Sequence, residues 1–262
     1  MELSADQVQA LARRLLDAYD RRTEIPALTD EFPTLSEADG YRIQRALMDL
    51  FRARGARLIG KKTGLTSKAK QVAMGVHEAI YGYLLDVYVI REPAPVRLSE
   101  LIHPRLEPEL AFILGERVQG PGVTTPQVLA ATRAVVPALE VIDSRYLNFK
   151  FRLPDVVADN CSASRVVLGQ TEVPLDGLDL RLQGMVLEKN GVLADTGTGA
   201  AVLGHPASAV AWLANKLAAV GEALEPGDLV LPGAPCEALF VAPGDEVRAT
   251  FAGVGSVTAR IE

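Results

Sequence analysis

Three carboxylates, Glu107, Glu109 and Glu140, are the side chains whose type and spacing point most directly to chemistry. Glu107 and Glu109 sit two residues apart in His103-Pro-Arg-Leu-Glu-Pro-Glu-Leu-Ala-Phe-Ile-Leu114, and an extended chain turns such a pair to one face. Like charges held together beside an apolar run repel each other and resist desolvation, and a divalent cation relieves both costs. Pro108 between them keeps the backbone extended and suits a strand end or edge. Spacing alone favours a blander state, two solvated glutamates on an edge strand. Glu140 shifts the balance. It is the one charge in the apolar run Ala134-Val-Val-Pro-Ala-Leu-Glu-Val-Ile142, where a carboxylate is costly unless it is paired or bound to a cation. An all-oxygen ligand set suits Mg²⁺ or Mn²⁺, with positions left for water and substrate.

Other constellations compete poorly. His77, His103 and His205 are scattered and read as structural. Cys161 and Cys236 form no CxxC pair and read as reduced core thiols rather than a disulfide or a zinc site. Gly197, Gly199 and Gly204 fit neither GxGxxG nor GxxxxGK[ST], so no nucleotide loop is expected. They suit close backbone approach to a ligand, or a turn ahead of a helix starting at Pro206.

The elements that must position these groups fall into two parts. Residues 1–56 read as a helical cap. Ser4 with Gln7, and Ser36 with Asp39, are capping-box pairs opening amphipathic helices through Val8, Leu11, Leu15 and Leu16 and through Tyr41, Ile43, Leu47 and Leu50. Residues 57–262 read as a β-rich body: a short apolar strand opening into a Gly-punctuated loop over 57–66, a short helix from Ser67, and strands at 178–187, 192–195, 229–231, 247–251 and 256–261. Asn190-Gly191 marks a tight hairpin, and one further helix spans 207–220. The predicted class is α+β, a helical cap on a mixed, mainly antiparallel sandwich or roll, with both parts forming one integrated unit.

Bulk properties narrow the partners. With 262 residues, 48% of them hydrophobic, the chain can bury a large core. A net charge of −6 without basic clusters argues against nucleic acid. No apolar run approaches membrane-spanning length, and the N-terminus lacks a signal-peptide pattern, so the expected location is the cytoplasm.

Lys62-x-Gly-Leu-Thr-Ser67, Glu107-Pro-Glu109, Pro-Ala-Leu-Glu140, Val157-Ala-Asp-Asn160 and Leu-Gly-His-Pro206 together resemble the fumarylacetoacetate hydrolase superfamily, in its hydratase/decarboxylase branch. The likeness spans nearly the whole chain, cap included. It implies a 2-oxo acid substrate, metal dependence, and one of two activities of aromatic meta-cleavage catabolism. These are decarboxylation of 2-oxo-3-hexenedioate (4-oxalocrotonate) to 2-hydroxypenta-2,4-dienoate and CO₂, and hydration of that dienoate. Ile142-Asp-Ser-Arg-Tyr146, with Tyr146 where hydratases usually carry Trp, favours the decarboxylase. A non-catalytic scaffold for a partner hydratase is a third reading, which the intact carboxylates and Lys62 oppose. The resemblance also implies a homo-oligomer and a complex with 2-hydroxypentadienoate hydratase.

Residue roles follow from the same likeness. Lys62 is selected as the cation beside the reacting anion; alternation lets only one of Lys61 and Lys62 face inward, with Lys61 expected at the surface. Asp86 and Asp159 are weaker catalytic candidates, and Asp159-Asn160 equally suits a turn that bonds its own backbone. Ser162, Ser164 and Arg145 are candidates for binding substrate carboxylate, with Arg145 equally suited to an ion pair. Pro232 departs from the family pattern, which has Thr there, and removes a hydroxyl and an N–H from a candidate contact.

Overall fold

The protein is described as a computed structural model covering residues 3–67, 71–72 and 75–262. The short helix expected from Ser67 lies outside the described residues. Ser4 Oγ accepts the Gln7 amide at 3.2 Å while Gln7 Oε1 accepts the Ser4 amide at 2.9 Å. That reciprocal cap starts α1 (Ala5–Arg21), and Ser36 with Asp39 starts α3 (Glu37–Ala53) in the same way, after the single turn α2 (Leu28–Glu31). The stripe Val8, Leu11, Leu15 and Leu16 meets Ile43, Leu47 and Phe51, and both join one core with Leu106, Phe112 and Leu139 of the strands. Burial of each such leucine contributes roughly 1.5–3 kcal/mol. The cap is therefore held to the body by shared apolar area.

The body starts with β1 (Leu58–Gly64), β2 (Ile80–Leu85), β3 (Val89–Arg91) and β4 (Arg105–Leu114). After α4 (Thr125–Ala131) come β5 (Thr132–Ile142), α5 (Leu153–Ala158), β6 (Ala163–Leu168), β7 (Gly184–Lys189) and β8 (Val192–Thr198). Then follow α6 (Pro206–Ala218), β9 (Leu229–Leu231), β10 (Leu239–Phe240), β11 (Glu246–Phe251) and β12 (Gly255–Arg260). One sheet has the order β2-β1-β9-β4-β5-β6-β3, with β10 paired to β4; the second has the order β12-β11-β7-β8. Only the β1–β9 and β3–β6 pairs are parallel among these ladders. The α+β class with a mainly antiparallel body is as the sequence pattern predicts. Asn190 (φ 55°) and Gly191 (φ 73°) close the β7–β8 hairpin, as Asn-Gly chemistry requires.

One strand begins later than its apolar pattern suggests. Residues 178–182 form a turn rather than the start of β7, because Asp179 Oδ1 accepts the amides of Arg181 and Leu182 at 3.0 and 3.1 Å. Local side-chain bonding outcompetes the ladder there.

Candidate metal and substrate site

Strand register assembles the carboxylates. Glu107 on β4 lies directly opposite Glu140 on β5, and Glu109 lies opposite Ala138, so all three share one face. Pairing of Ile113 with Leu229, and of Lys62 with Leu231, carries the same face across β9 to Lys62 on β1. Carboxylate oxygens of Glu107, Glu109 and Glu140 all lie within 4.8 Å of one another. Glu109 and Glu140 are fully buried, while Glu107 faces a cleft of about 580 Å³ that is open to solvent.

Glu109 and Glu140 share one buried ammonium among the described residues. Lys62 Nζ, itself buried, sits 3.0 Å from Glu140 Oε2 and donates to the Cys161 carbonyl at 3.2 Å. Glu109 Oε2 accepts the Gly233 amide at 2.7 Å. Glu109 Oε1 and Glu140 Oε1 have no hydrogen-bond partner among the described residues. Burial first, then the Glu140 charge, pushes the Glu109 carboxyl well above its ordinary range. Burial likewise raises Glu140, against the pull of Lys62. Burial alone would lower the Lys62 ammonium; the surrounding negative charge, Glu140 foremost, outweighs it and holds the amine protonated. Among the described residues one buried ammonium thus faces Glu109 and Glu140, both of which present bare buried oxygens. The donor set fits a hard divalent cation.

Above the cluster runs an unusual turn. Asn160, Cys161 and Ser162 all adopt left-handed backbone, with φ of 51°, 53° and 57°. Each costs roughly 1–2 kcal/mol, so the surroundings must hold them. Asn160 does so by imitating a strand: its Oδ1 accepts the Tyr83 amide at 2.8 Å and its Nδ2 donates to the Tyr83 carbonyl at 2.9 Å. Gly82 permits the approach, since a Cβ there would meet the Asn160 carbonyl at 2.7 Å. The turn delivers the Cys161 carbonyl to Lys62 and places Ser162 at the cleft, where its buried Oγ has no partner among the described residues.

The structure separates the remaining expected residues. Arg145 is not free to bind substrate. Its Nε pairs with Asp159 Oδ1, its Nη2 donates to the Asp159 carbonyl at 2.6 Å, and its Nη1 to the Asp143 carbonyl at 2.5 Å. Asp159 accepts the Arg145 amide as well, at 3.0 Å, and burial lifts its carboxyl to about 6 despite the guanidinium. This pair is a strut under the left-handed turn, because a buried guanidinium needs every donor satisfied. Asp86 lies apart from the cluster, bonded to the Arg57 backbone and side chain at 2.9 Å each. Ser164 is buried beside Arg165, whose Nη1 lies 3.4 Å from its hydroxyl, and does not line the cleft. Lys61 is buried rather than at the surface. It points to the opposite sheet face, 3.9 Å from both Glu222 and Asp228. Alternation separates the two lysines as expected, but both faces of this strand are covered.

Three features escape sequence reasoning. The Gly233 amide holds Glu109 although Pro232 beside it has none, and the only signal in that loop's sequence is Pro232 itself. Asn160 offers no signal beyond the Asp-Asn turn chemistry. Phe149 and Phe151, from the segment after Arg145, also line the cleft.

Residues 61–262 match the model of the fumarylacetoacetate (FAA) hydrolase C-terminal family. Across 258 residues the chain is 46% identical to 4-oxalocrotonate decarboxylase of Pseudomonas sp. (strain CF600), covering 98% of both. It is 40% identical over 251 residues to 2-hydroxyhexa-2,4-dienoate hydratase of Comamonas testosteroni, covering 95% of both. The solved structure of 4-oxalocrotonate decarboxylase from Pseudomonas putida G7, complexed with magnesium and adipate, superposes with a TM-score of 0.97 at 43% identity over 99% of each chain. Among the described residues no helix is long and apolar enough to cross a membrane.

Proposed function

Because the chain belongs to the fumarylacetoacetate hydrolase family, we propose that it is a divalent-metal-dependent carboxy-lyase. Its reaction is the conversion of 2-oxo-3-hexenedioate to 2-hydroxypenta-2,4-dienoate and CO₂. The observation that carries this reading is the cluster of Glu107, Glu109 and Glu140 beside the buried Lys62 ammonium at an open cleft. Those three residues would hold Mg²⁺ or Mn²⁺, which when bound polarises the 2-oxo group as a Lewis acid.

In the reaction the C5–C6 bond breaks and C6 leaves as CO₂. Its electron pair becomes the C4=C5 bond, the C3=C4 pair moves to C2=C3, and the C2 oxygen takes up the negative charge and then a proton. Lys62 supplies a fixed positive charge on the sheet face where that anion develops, so little reorganisation is needed during the reaction. Cys161 holds the Lys62 ammonium through its carbonyl and so fixes where the charge sits. Ser162 offers an unpaired hydroxyl at the cleft wall for a substrate carboxylate. Asp159 acts through Arg145, keeping the turn that carries Cys161 and Ser162 in place. Ile80, Val156 and Phe151 exclude water from the cleft walls.

The decisive experiment incubates the protein with Mg²⁺ and either 2-oxo-3-hexenedioate or 2-hydroxypenta-2,4-dienoate. CO₂ release from the first supports the decarboxylase. Water addition to the second without CO₂ release supports the hydratase, which the similarity to the Comamonas enzyme keeps in view. Silence with both, despite metal binding, supports a scaffold. A homo-oligomer and a complex with 2-hydroxypentadienoate hydratase belong to the same proposal; sedimentation of the protein alone and mixed with such a hydratase tests both.

A further inference from the structure

Arg105 stands two residues before Glu107 on β4, and its side chain takes the same sheet face. Its guanidinium carbon lies 4.1 Å from the Phe149 ring centroid and 4.3 Å from that of Phe240, so two aromatic rings lie against it. Among the described residues it makes no ion pair or hydrogen bond, and its buried Nε has no partner. The carboxylate in the same depression, Glu24, is engaged elsewhere: it bonds His103 Nδ1 at 2.7 Å and the Asn148 amide at 2.9 Å. Asn148 and Phe149 are both left-handed, at φ of 57° and 58°, a costly state for an aromatic residue. That turn sets the Phe149 ring against Arg105, which lines a depression of its own that adjoins the metal cleft at Phe149.

Aromatic rings held against a guanidinium restrict its motion without using its N–H donors, which leaves them able to take a carboxylate. Along the strand, Arg105 and Glu107 are about 7 Å apart at their backbones. The chain of a six-carbon diacid, with bonds of about 1.5 Å, spans roughly 6 Å between carboxyl carbons. We propose that Arg105, held against Phe149 and Phe240, is the specificity residue that binds the distal carboxylate of the diacid substrate. A 2-oxo acid ending in a methyl group would leave the guanidinium unpaired. The inference rests on the proposed diacid chemistry, and it concerns recognition rather than the bond that breaks.

The test is calorimetric and needs no turnover. In Mg²⁺, 2-oxoadipate and 2-oxopentanoate are titrated into the wild type, Arg105→Met and Arg105→Lys, with thermal midpoints confirming that the variants fold. The wild type is expected to prefer the diacid by roughly 10- to 100-fold, the scale of one charge-assisted pair. Arg105→Met should lose that preference while keeping its affinity for 2-oxopentanoate, and Arg105→Lys should recover part of it. A wild type without diacid preference, or an Arg105→Met variant that retains it, would overturn the inference. If the preference behaves as expected but no CO₂ is released from 2-oxo-3-hexenedioate, Arg105 stands and the decarboxylase reading fails. Should Arg105→Met not fold, Phe240→Ala, an exposed ring on the same guanidinium, is expected to weaken diacid binding alone, and unchanged diacid binding there overturns the inference.

Discussion

Lys62 Nζ and Glu140 Oε2 are 3.0 Å apart, on neighbouring parts of one sheet face, with both side chains shielded from water. The pair is unequal to its setting, since Glu107 and Glu109 add negative charge to the same few ångströms. Removing one partner of such a buried pair costs about 3–5 kcal/mol. Lys62→Met should therefore have a lower melting temperature in chelator and recover most of it in Mg²⁺. Its kcat should fall by roughly 10²-fold or more, the scale of one lost anion-stabilising group. Mg²⁺ titration followed by melting temperature, alongside steady-state rates, checks both parts; an unchanged kcat would remove Lys62 from the mechanism.

The acid cluster inverts the usual dependence of stability on pH. Glu109 and Glu140 are raised above the ordinary value of 4.5. The native state thus binds their protons more tightly than the unfolded chain does. Their contribution is fully present below 4.5 and is lost as pH rises through the raised values. Metal-free protein should accordingly lose stability from about pH 5 upward through these groups, and Mg²⁺ should cancel the loss. Glu109→Gln should flatten the slope in chelator and also abolish the stabilisation by Mg²⁺. Urea unfolding across pH, with and without metal, reads this directly. Asp159, raised to about 6 by burial, adds a slope of the same sign that Mg²⁺ leaves in place.

Gly233 is placed to fail visibly on substitution. It holds φ of +106°, and a Cβ there would lie 2.0 Å from Thr66 Oγ1. Its amide is also the one donor to Glu109 among the described residues. Gly233→Ala should cost about 1–3 kcal/mol in strain and weaken Mg²⁺ binding, because the amide cannot stay where Glu109 needs it. Calorimetric Mg²⁺ affinity equal to the wild type would show that the amide does not orient the carboxylate.

The left-handed turn depends on Asn160. Asn160→Ala removes both bonds to Tyr83 and leaves that residue's buried backbone groups unpaired, at about 1–3 kcal/mol each. The turn should relax, moving the Cys161 carbonyl off Lys62. A drop in kcat larger than the change in KM is expected, with Mg²⁺ affinity preserved, since no ligand oxygen belongs to this turn. Loss of metal affinity together with activity would contradict that division.

Much of this was legible in residue patterns, and the limits have physical reasons. Both capping boxes, the Asn190-Gly191 hairpin and the strand holding Glu140 are local, so short-range chemistry reveals them. Glu107 and Glu109 gain their meaning from a partner strand: only the register opposite Glu140 turns an edge pair into a cluster. Arg145 and Asp159 were ambiguous because an arginine near an aspartate reads the same whether it meets substrate or its neighbour. Burial decided it, with every guanidinium nitrogen already engaged. Lys61 was misplaced because alternation predicts sides, and this strand has two covered sides. Gly233 and Asn160 act through backbone groups, which sequence type does not display.

The central claim is that the three glutamates hold the cation that decarboxylation requires. The rate of CO₂ release from 2-oxo-3-hexenedioate as Mg²⁺ is added back to exhaustively chelated wild type and Glu107→Gln tests it most directly. The account predicts no turnover for either protein at zero metal, restoration of the wild type by Mg²⁺, and little or no restoration of Glu107→Gln. Full turnover by the chelated wild type, or by Glu107→Gln after chelation, would contradict it.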